Sequence, residues 1–209
     1  MLAKTTLNDF LNRTASNEPV PGGGSVAALN GAVASALATM VARLTIGKKK
    51  YELHEELMRH VEETMPRARQ HFEDAIDRDA DAYNALFACY KMPKTTEEER
   101  EARTLAIEEA TKQAALVPME VAEEAAGLME ALFDVVRFGN QNAITDGCVA
   151  VMSARTAVLG ALLNVRINLT GIKDEAFVNT LRERADQLER ETIRREEEVL
   201  KVVRQELSV

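Results

Sequence analysis

The chain has 209 residues, 46% of them apolar and only 4% aromatic, with no Trp and a formal charge of -8. That length suits one domain with a full hydrophobic core, and the apolar fraction excludes a disordered chain. The acidic balance excludes a general nucleic-acid binder, while a local basic pocket for a small anion stays compatible with it.

Taken in chain order, Thr6-Leu7-Asn8-Asp9 has capping-box spacing. Leu7, Phe10 and Leu11 then recur on one face, which predicts a short helix ending near Asn17, stopped by Pro19 and Pro21. A second helix is expected from about Ser25 to Ile46. Its stripe of Ala28, Gly31, Ala32, Ser35, Ala38 and Ala42 lets another helix approach closely. Gly47 closes it, and after KKKYELHEE a long helical pattern carries Leu57, Val61, Met65, Phe72, Ile76, Ala80, Tyr83 and Phe87 on its apolar side, with Pro66 expected to bend or divide it. Thr96-Glu97-Glu98-Glu99 is a second capping box, opening a helix to about Val117; Pro118 should break or kink the pattern before it resumes to Phe138. Gly139 ends that run, a further apolar helix reaches roughly Leu163, and Val165 to Lys173 reads as irregular or partly helical. From Asp174, an N-cap, Phe177, Leu181, Leu188, Leu200, Val203 and Leu207 trace the apolar side of a long final helix whose Arg and Glu residues read as a solvated face laced with ion pairs. No segment alternates as a strand and no period repeats. The expected architecture is all-α, one domain over 1–209, a bundle of six to eight helices.

Residues 25–42 carry no charge and precede Lys48-Lys49-Lys50, so their length alone would allow a membrane span. Ser25, Asn30, Gly31, Ser35 and Thr39 among many alanines make the run weakly apolar, and a buried helix is the expectation, with no membrane partner. The N-terminus lacks the apolar core of a signal peptide, which points to the cytoplasm and to an unmodified sequon at Asn168. Cys89 and Cys148, far apart, are expected to be core thiols. His54, His60 and His71 lie in charged surroundings without metal-ligand spacing, so no metal site is expected, and surface roles suit them.

Several polar groups interrupt these patterns without a packing reason. Asp77, Asp79 and Asp81, spaced by two, cannot share one helix face, so at most one points inward. A buried carboxylate there would have a raised pKa and could move protons, whereas a solvent-facing acidic patch is the plainer alternative. Asn140, Asn142 and Asp146 surround a helix start, where capping accounts for one of them. Asn164 and Asn168 are four apart and can share a face, to bind a ligand or to satisfy irregular backbone. In PVPGGGSVAALNG, residues 19–31, three consecutive glycines open an Ala-rich helix. They fit either a tight bend between helices or a cradle of backbone N–H groups for an anionic or electron-rich ligand.

PGGGS, LTIGKKKY, DADAY, YKMPKTTEEE, VPMEVAE, GNQNAITD and LNVRINL occur together and in this order. In that combination the chain resembles the formiminotransferase-cyclodeaminase C-terminal domain family, whose stand-alone bacterial members include methenyltetrahydrofolate cyclohydrolases. The resemblance runs from about Leu7 to about Phe177. It implies an all-helical homodimer acting on a one-carbon unit carried by tetrahydrofolate, which is the substrate carrier, with no separate cofactor. It also implies that Pro21, Gly22, Gly23, Gly24 and Ser25 lie beside the folate, and that Lys48, Lys49 and Lys50 could hold the glutamate tail. Asp79 matches the acidic catalytic position of the family's D-x-[DE]-A-[FY] pattern. Asn140 and Asp146 match G-N-x(5)-D, and Asn164 with Asn168 match N-V-x-[IV]-N. The expected catalytic set is therefore Asp79, Asp146 and Asn140, with Asn142, Asn164 and Asn168 among the binding residues.

The implied reaction is hydrolysis of the methenyl bridge to formyltetrahydrofolate. A carboxylate would deprotonate the attacking water and return the proton to the leaving nitrogen, and Asn140 or Asn142 would bind the developing oxygen. The same residues would serve a formiminotetrahydrofolate cyclodeaminase that releases ammonia, and they do not separate the two. A catalytically silent helical dimerisation module is the third possibility, against which the retained polar set of Asp79, Asn140 and Asp146 speaks.

Overall fold

In the computed structural model, which describes residues 1–206, six α-helices follow one another, and the described residues contain no strand. They are α1 (Leu7–Thr14), α2 (Gly23–Thr45), α3 (Glu55–Tyr90), α4 (Glu97–Phe138), α5 (Ile144–Leu169) and α6 (Glu175–Glu206), with 3-10 turns at Leu2–Lys4, Lys49–His54 and Gln141–Ala143. The expected all-α bundle of six to eight helices is thus the observed class. Leu207, assigned to the last apolar stripe, lies outside the described residues.

Helix α2 runs between α3 and α5 and also touches α4, while α6 lies across α4 and α5. Its small side chains account for that central place. Ala28, Ala34, Ala38 and Ala42 are fully buried, and at Gly31 an added Cβ would fall 2.6 Å from the Phe72 ring, so the ring fills the space a side chain would need. Helices α2 and α5 are antiparallel: Gly23 faces Asn164 and Gly160 faces Ala27, while Gly139, just past α4, meets Val41. Two apolar clusters succeed each other along α2. One is built around Ala28, Phe72, Ala122 and Leu162, the other around Ala38, Met58, Leu132 and Val151.

The expected caps at three helix starts are present: at α1 the Thr6 hydroxyl oxygen accepts from the Asp9 amide at 3.1 Å. Thr96 and Glu99 form the reciprocal capping box of α4, and the Asp174 carboxylate accepts from the Phe177 amide at 3.1 Å. The charged side of α6 pairs with its neighbours, as in Arg184 with Glu123 and Arg166 with Asp186.

Four local expectations need correction. Helix α3 is not divided at Pro66, nor α4 broken at Pro118: a mid-helix proline costs about 3 kcal/mol, and apolar burial on both sides, Met65 with Phe72 and Val117 with Met119, offsets it. Helix α5 does not fray at Leu163 but reaches Leu169, because Val165 and Leu169 are buried and the Asn164 and Asn168 amides donate back to the carbonyls of Gly160 and Asn164 within the helix. Helix α1 ends at Thr14 and α2 begins at Gly23, so two of the three glycines are helical. Tyr83 and Phe87 are exposed rather than core, stacked on each other with ring centroids 6.2 Å apart. Of the two free thiols, Cys148 is buried and Cys89 half-buried.

Candidate active site

The Gly-rich turn, the last third of α3 and the last turns of α5 meet around a cleft of about 310 Å³. Its floor is Asp79. Its walls are Gly22, Gly23 and Gly24 on one side, Asn164, Ile167 and Asn168 on another, and Tyr83 with Leu86 on a third.

Asp79 approaches α2 so closely that Gly24 has no room for a side chain: an added Cβ would lie 2.1 Å from Asp79 Oδ1. This is the close approach that the glycine triplet makes possible. The Ser25 hydroxyl, fully buried, stands 2.9 Å from Asp79 Oδ2 and 3.1 Å from the Ile76 carbonyl. Having one proton, it can serve one acceptor at a time. It donates to the ionised carboxylate; when Asp79 is protonated, it can accept from Asp79 and donate to Ile76 instead.

Burial is the largest influence on Asp79 and pushes its pKa up, against the opposing hydrogen bonds from the Ser25 hydroxyl and the Ser25 amide. The net direction is upward, toward a group able to take and give a proton nearer neutrality. The other members of the acidic triplet do different work. Asp81 is exposed, and Asp77 accepts from the Leu2 and Ala3 amides, tying the N-terminal turn to α3.

Asn164 and Asn168 share the cleft face of α5. Asn168 Nδ2 donates to the Ala114 carbonyl of α4 at 2.8 Å and to the Asn164 carbonyl at 3.0 Å, and Asn164 Nδ2 donates to Gly160 at 2.8 Å. With both amide nitrogens tied to backbone, the amide oxygens are the acceptors offered to a ligand.

The remaining candidates lie elsewhere. Pro21 is buried behind the turn, and Pro19 and Val20 line the cleft in its stead. Asn140 sits at the opposite end of α2, about 30 Å from Gly24 by the rise of the helix, and is 6% exposed. Its amide N–H donates to Thr45 Oγ1 at 2.8 Å, its Nδ2 to the Leu44 carbonyl at 3.0 Å, and its Oδ1 accepts from the Asn142 amide at 3.2 Å. Within one chain Asn140 therefore joins the end of α2 to the start of α5. Asn142 and Asp146 flank it, exposed and half-exposed. Lys48, Lys49 and Lys50, all exposed, belong to the same end. The chain thus holds two separated groups of candidates: Asp79, the glycines, Ser25, Asn164 and Asn168 in the cleft, and Lys48 to Lys50 with Asn140, Asn142 and Asp146 at the far end.

Sequence reasoning passed over Tyr83, Leu86, Ala114 and Ile167 as cleft residues. Tyr83 follows Asp79 by one helical turn, and Ile167 stands between the two asparagines, so helical spacing from Asp79 and Asn164 was the available signal. Among the described residues no three His, Cys, Asp or Glu side chains gather as metal ligands would. A shallow groove between α3 and α4 is lined by side chains already paired with each other, His71 with Glu124 at 3.1 Å and Arg78 with Glu120 at 2.5 Å.

Comparison with known proteins adds four findings. A family model described as formiminotransferase-cyclodeaminase matches residues 6–187. The chain is 39% identical to a methenyltetrahydrofolate cyclohydrolase of Methylorubrum extorquens, over 90% of this chain and 89% of that one. It is 35% identical to a formimidoyltransferase-cyclodeaminase of Rattus norvegicus over 90% of its own length but 35% of the relative's, so it spans about a third of that longer protein. Among solved structures, the crystal structure of formiminotetrahydrofolate cyclodeaminase from Thermotoga maritima superposes with a TM-score of 0.86 at 32% identity, covering 96% of each chain.

Proposed function

The chain belongs to the formiminotransferase-cyclodeaminase family, and from that premise we propose that it is a methenyltetrahydrofolate cyclohydrolase, an enzyme of folate one-carbon chemistry. The observation that carries the reading is Asp79: a half-buried carboxyl of raised proton affinity at the floor of a cleft walled by a side-chain-free turn. A stand-alone relative that matches over nearly its whole length and is named for that activity supports it.

The methenyl carbon lies between two nitrogens and shares their positive charge, so it is electrophilic without a metal or a redox cofactor. Asp79 takes a proton from water as the oxygen–carbon bond forms, giving a neutral carbinolamine. It returns that proton to the pterin-side nitrogen as the carbon–nitrogen bond breaks. The hydroxyl proton passes to solvent as the carbonyl forms, leaving a formyl group on the other nitrogen. The Ser25 hydroxyl follows Asp79 through both protonation states. The flat pterin lies against Gly22 to Gly24, its N–H groups donating to the amide oxygens of Asn164 and Asn168, and Tyr83 borders the adjoining ring. The functional unit is a homodimer.

A cyclodeaminase that closes formiminotetrahydrofolate with loss of ammonia is the second reading, favoured by the Thermotoga maritima structure of similar length. Absorbance of the methenyl group separates the two. Consumption of methenyltetrahydrofolate without ammonia release from formiminotetrahydrofolate is expected; ammonia release from the formimino compound at a comparable rate would transfer the assignment to the cyclodeaminase.

A further inference from the structure

The sequence has 6 Phe and 3 Tyr. Among the described residues only Tyr83, Phe87 and Tyr90 of them are exposed, and all three stand on the last turns of α3. Steps of four, four and three residues from Asp79 keep them on one side of that helix. The stripe starts inside the cleft, where Tyr83 is a wall, passes to Phe87, stacked on Tyr83, and runs out along the surface. Core packing does not account for it, since Ile76, Ala80 and Leu86 already supply the buried side of the same helix.

A cation closes the outer end of the stripe. Lys91 ends α3 and folds back along it, its Nζ 4.4 Å from the centre of the Phe87 ring. Arg78 before it and Arg100 after it are paired, with Glu120 and Glu97, whereas among the described residues no carboxylate pairs with Lys91. The carbonyls at the end of α3 would repel an anion, and Arg103 of α4 offsets them by donating to the Tyr90 carbonyl at 3.1 Å.

We propose that this stripe is the bed of the substrate's aminobenzoyl ring and that the Lys91 ammonium takes the carboxylates of its glutamate. The proposal rests on the folate reading above and assigns the end of the substrate that lies beyond Tyr83. Length carries it. Phe87 follows Asp79 by eight residues, and Lys91 Nζ lies over that ring, so its charge stands about 12 Å along α3 from the reacting carboxyl. By ordinary bond lengths, a para-substituted ring and one amide hold the first glutamate carboxylate roughly 10 Å from the nitrogen that keeps the one-carbon unit. The order of groups agrees too: Asp79 meets the reacting carbon, the aromatic rings meet a ring, and the ammonium meets the carboxylates. Lys48 to Lys50, at the far end of α2, stand about 30 Å from the cleft by the rise of that helix, beyond this reach within one chain. Ring and tail do not react, so contacts with them act on substrate and transition state alike and appear in KM rather than kcat.

Two substrates that differ only in the glutamate test this, methenyltetrahydrofolate and methenyltetrahydropteroate. The wild type should show a KM about fivefold lower for the first, the upper range for an exposed ion pair, and added salt should narrow that gap. Lys91→Ala should abolish the gap by raising KM for methenyltetrahydrofolate alone, with kcat unchanged, and Lys91→Arg should keep it. Phe87→Ala should raise KM for both substrates. Lys201→Ala, which removes the same charge from the exposed side of α6, should change neither. A wild type indifferent to the glutamate, or a gap that survives in Lys91→Ala, overturns the proposal. So does a gap lost only when Lys48, Lys49 and Lys50 are all changed to Ala, which would put the tail at the lysine turn. These outcomes leave the folate reading standing. A wild type that turns over neither methenyltetrahydrofolate nor formiminotetrahydrofolate fails that reading itself, and this inference with it.

Discussion

The Asp79 carboxyl occupies the place where Gly24 would carry its side chain: an added Cβ would meet Oδ1 at 2.1 Å and Oδ2 at 2.7 Å. Sequence neighbours in the turn are not equivalent, since at Gly23 a Cβ would approach only the tip of Asn164, at 3.2 Å. Gly24→Ala must therefore displace the reacting carboxyl by an ångström or more, and misplacement of that size costs about a hundredfold in rate. Gly23→Ala should lose far less. Side-by-side kcat values for the two variants check this, and equal losses would contradict the packing of Asp79 against α2.

Ser25→Ala removes the hydroxyl that donates to Asp79 Oδ2 at 2.9 Å. That bond favours the ionised form and opposes the upward push of burial. The acidic limb of kcat/KM should therefore move to higher pH in Ser25→Ala. A profile that falls in height without moving would make Ser25 a packing residue only.

Asp79 also bears on stability, with a definite sign. Its pKa is raised by folding, chiefly through burial, so it adds most to stability when protonated, below its unfolded value of about 3.9. That contribution is lost as pH rises through the higher folded value. Asp79→Asn keeps the shape and never ionises. Its Tm should therefore exceed the wild type's near pH 7, with the difference shrinking as pH approaches 4. A lower Tm at neutral pH would mean that the bonds from Ser25 outweigh burial.

Much of this was legible beforehand, and the exceptions have physical causes. The capping residues Thr96 and Asp174 announced their helices, because caps act within one turn. The small residues of α2 announced a close-packed central helix for the same local reason. Neither Pro66 nor Pro118 interrupts its helix, since the penalty of a proline is local and the burial that offsets it comes from distant helices. The segment after Leu163 read as irregular because two asparagines are poor helix formers; their amides instead bond back within α5. Asp79 could be singled out by its resemblance to a family pattern, but its contact with Gly24 joins residues 55 positions apart. No spacing rule shows that the lysine turn and Asp146 stand at the opposite end of α2 from it.

The central claim is that Asp79 moves the proton in methenyl hydrolysis. Loss of methenyl absorbance in purified, folded Asp79→Asn measures it most directly, with Asp81→Asn beside it as the exposed neighbour. Turnover should fall at least about a hundredfold in the first, the scale of general acid–base catalysis, and change little in the second. A folded Asp79→Asn protein that hydrolyses methenyltetrahydrofolate at near wild-type rate would contradict the account, and would leave Asp79 as a buried acceptor for Ser25.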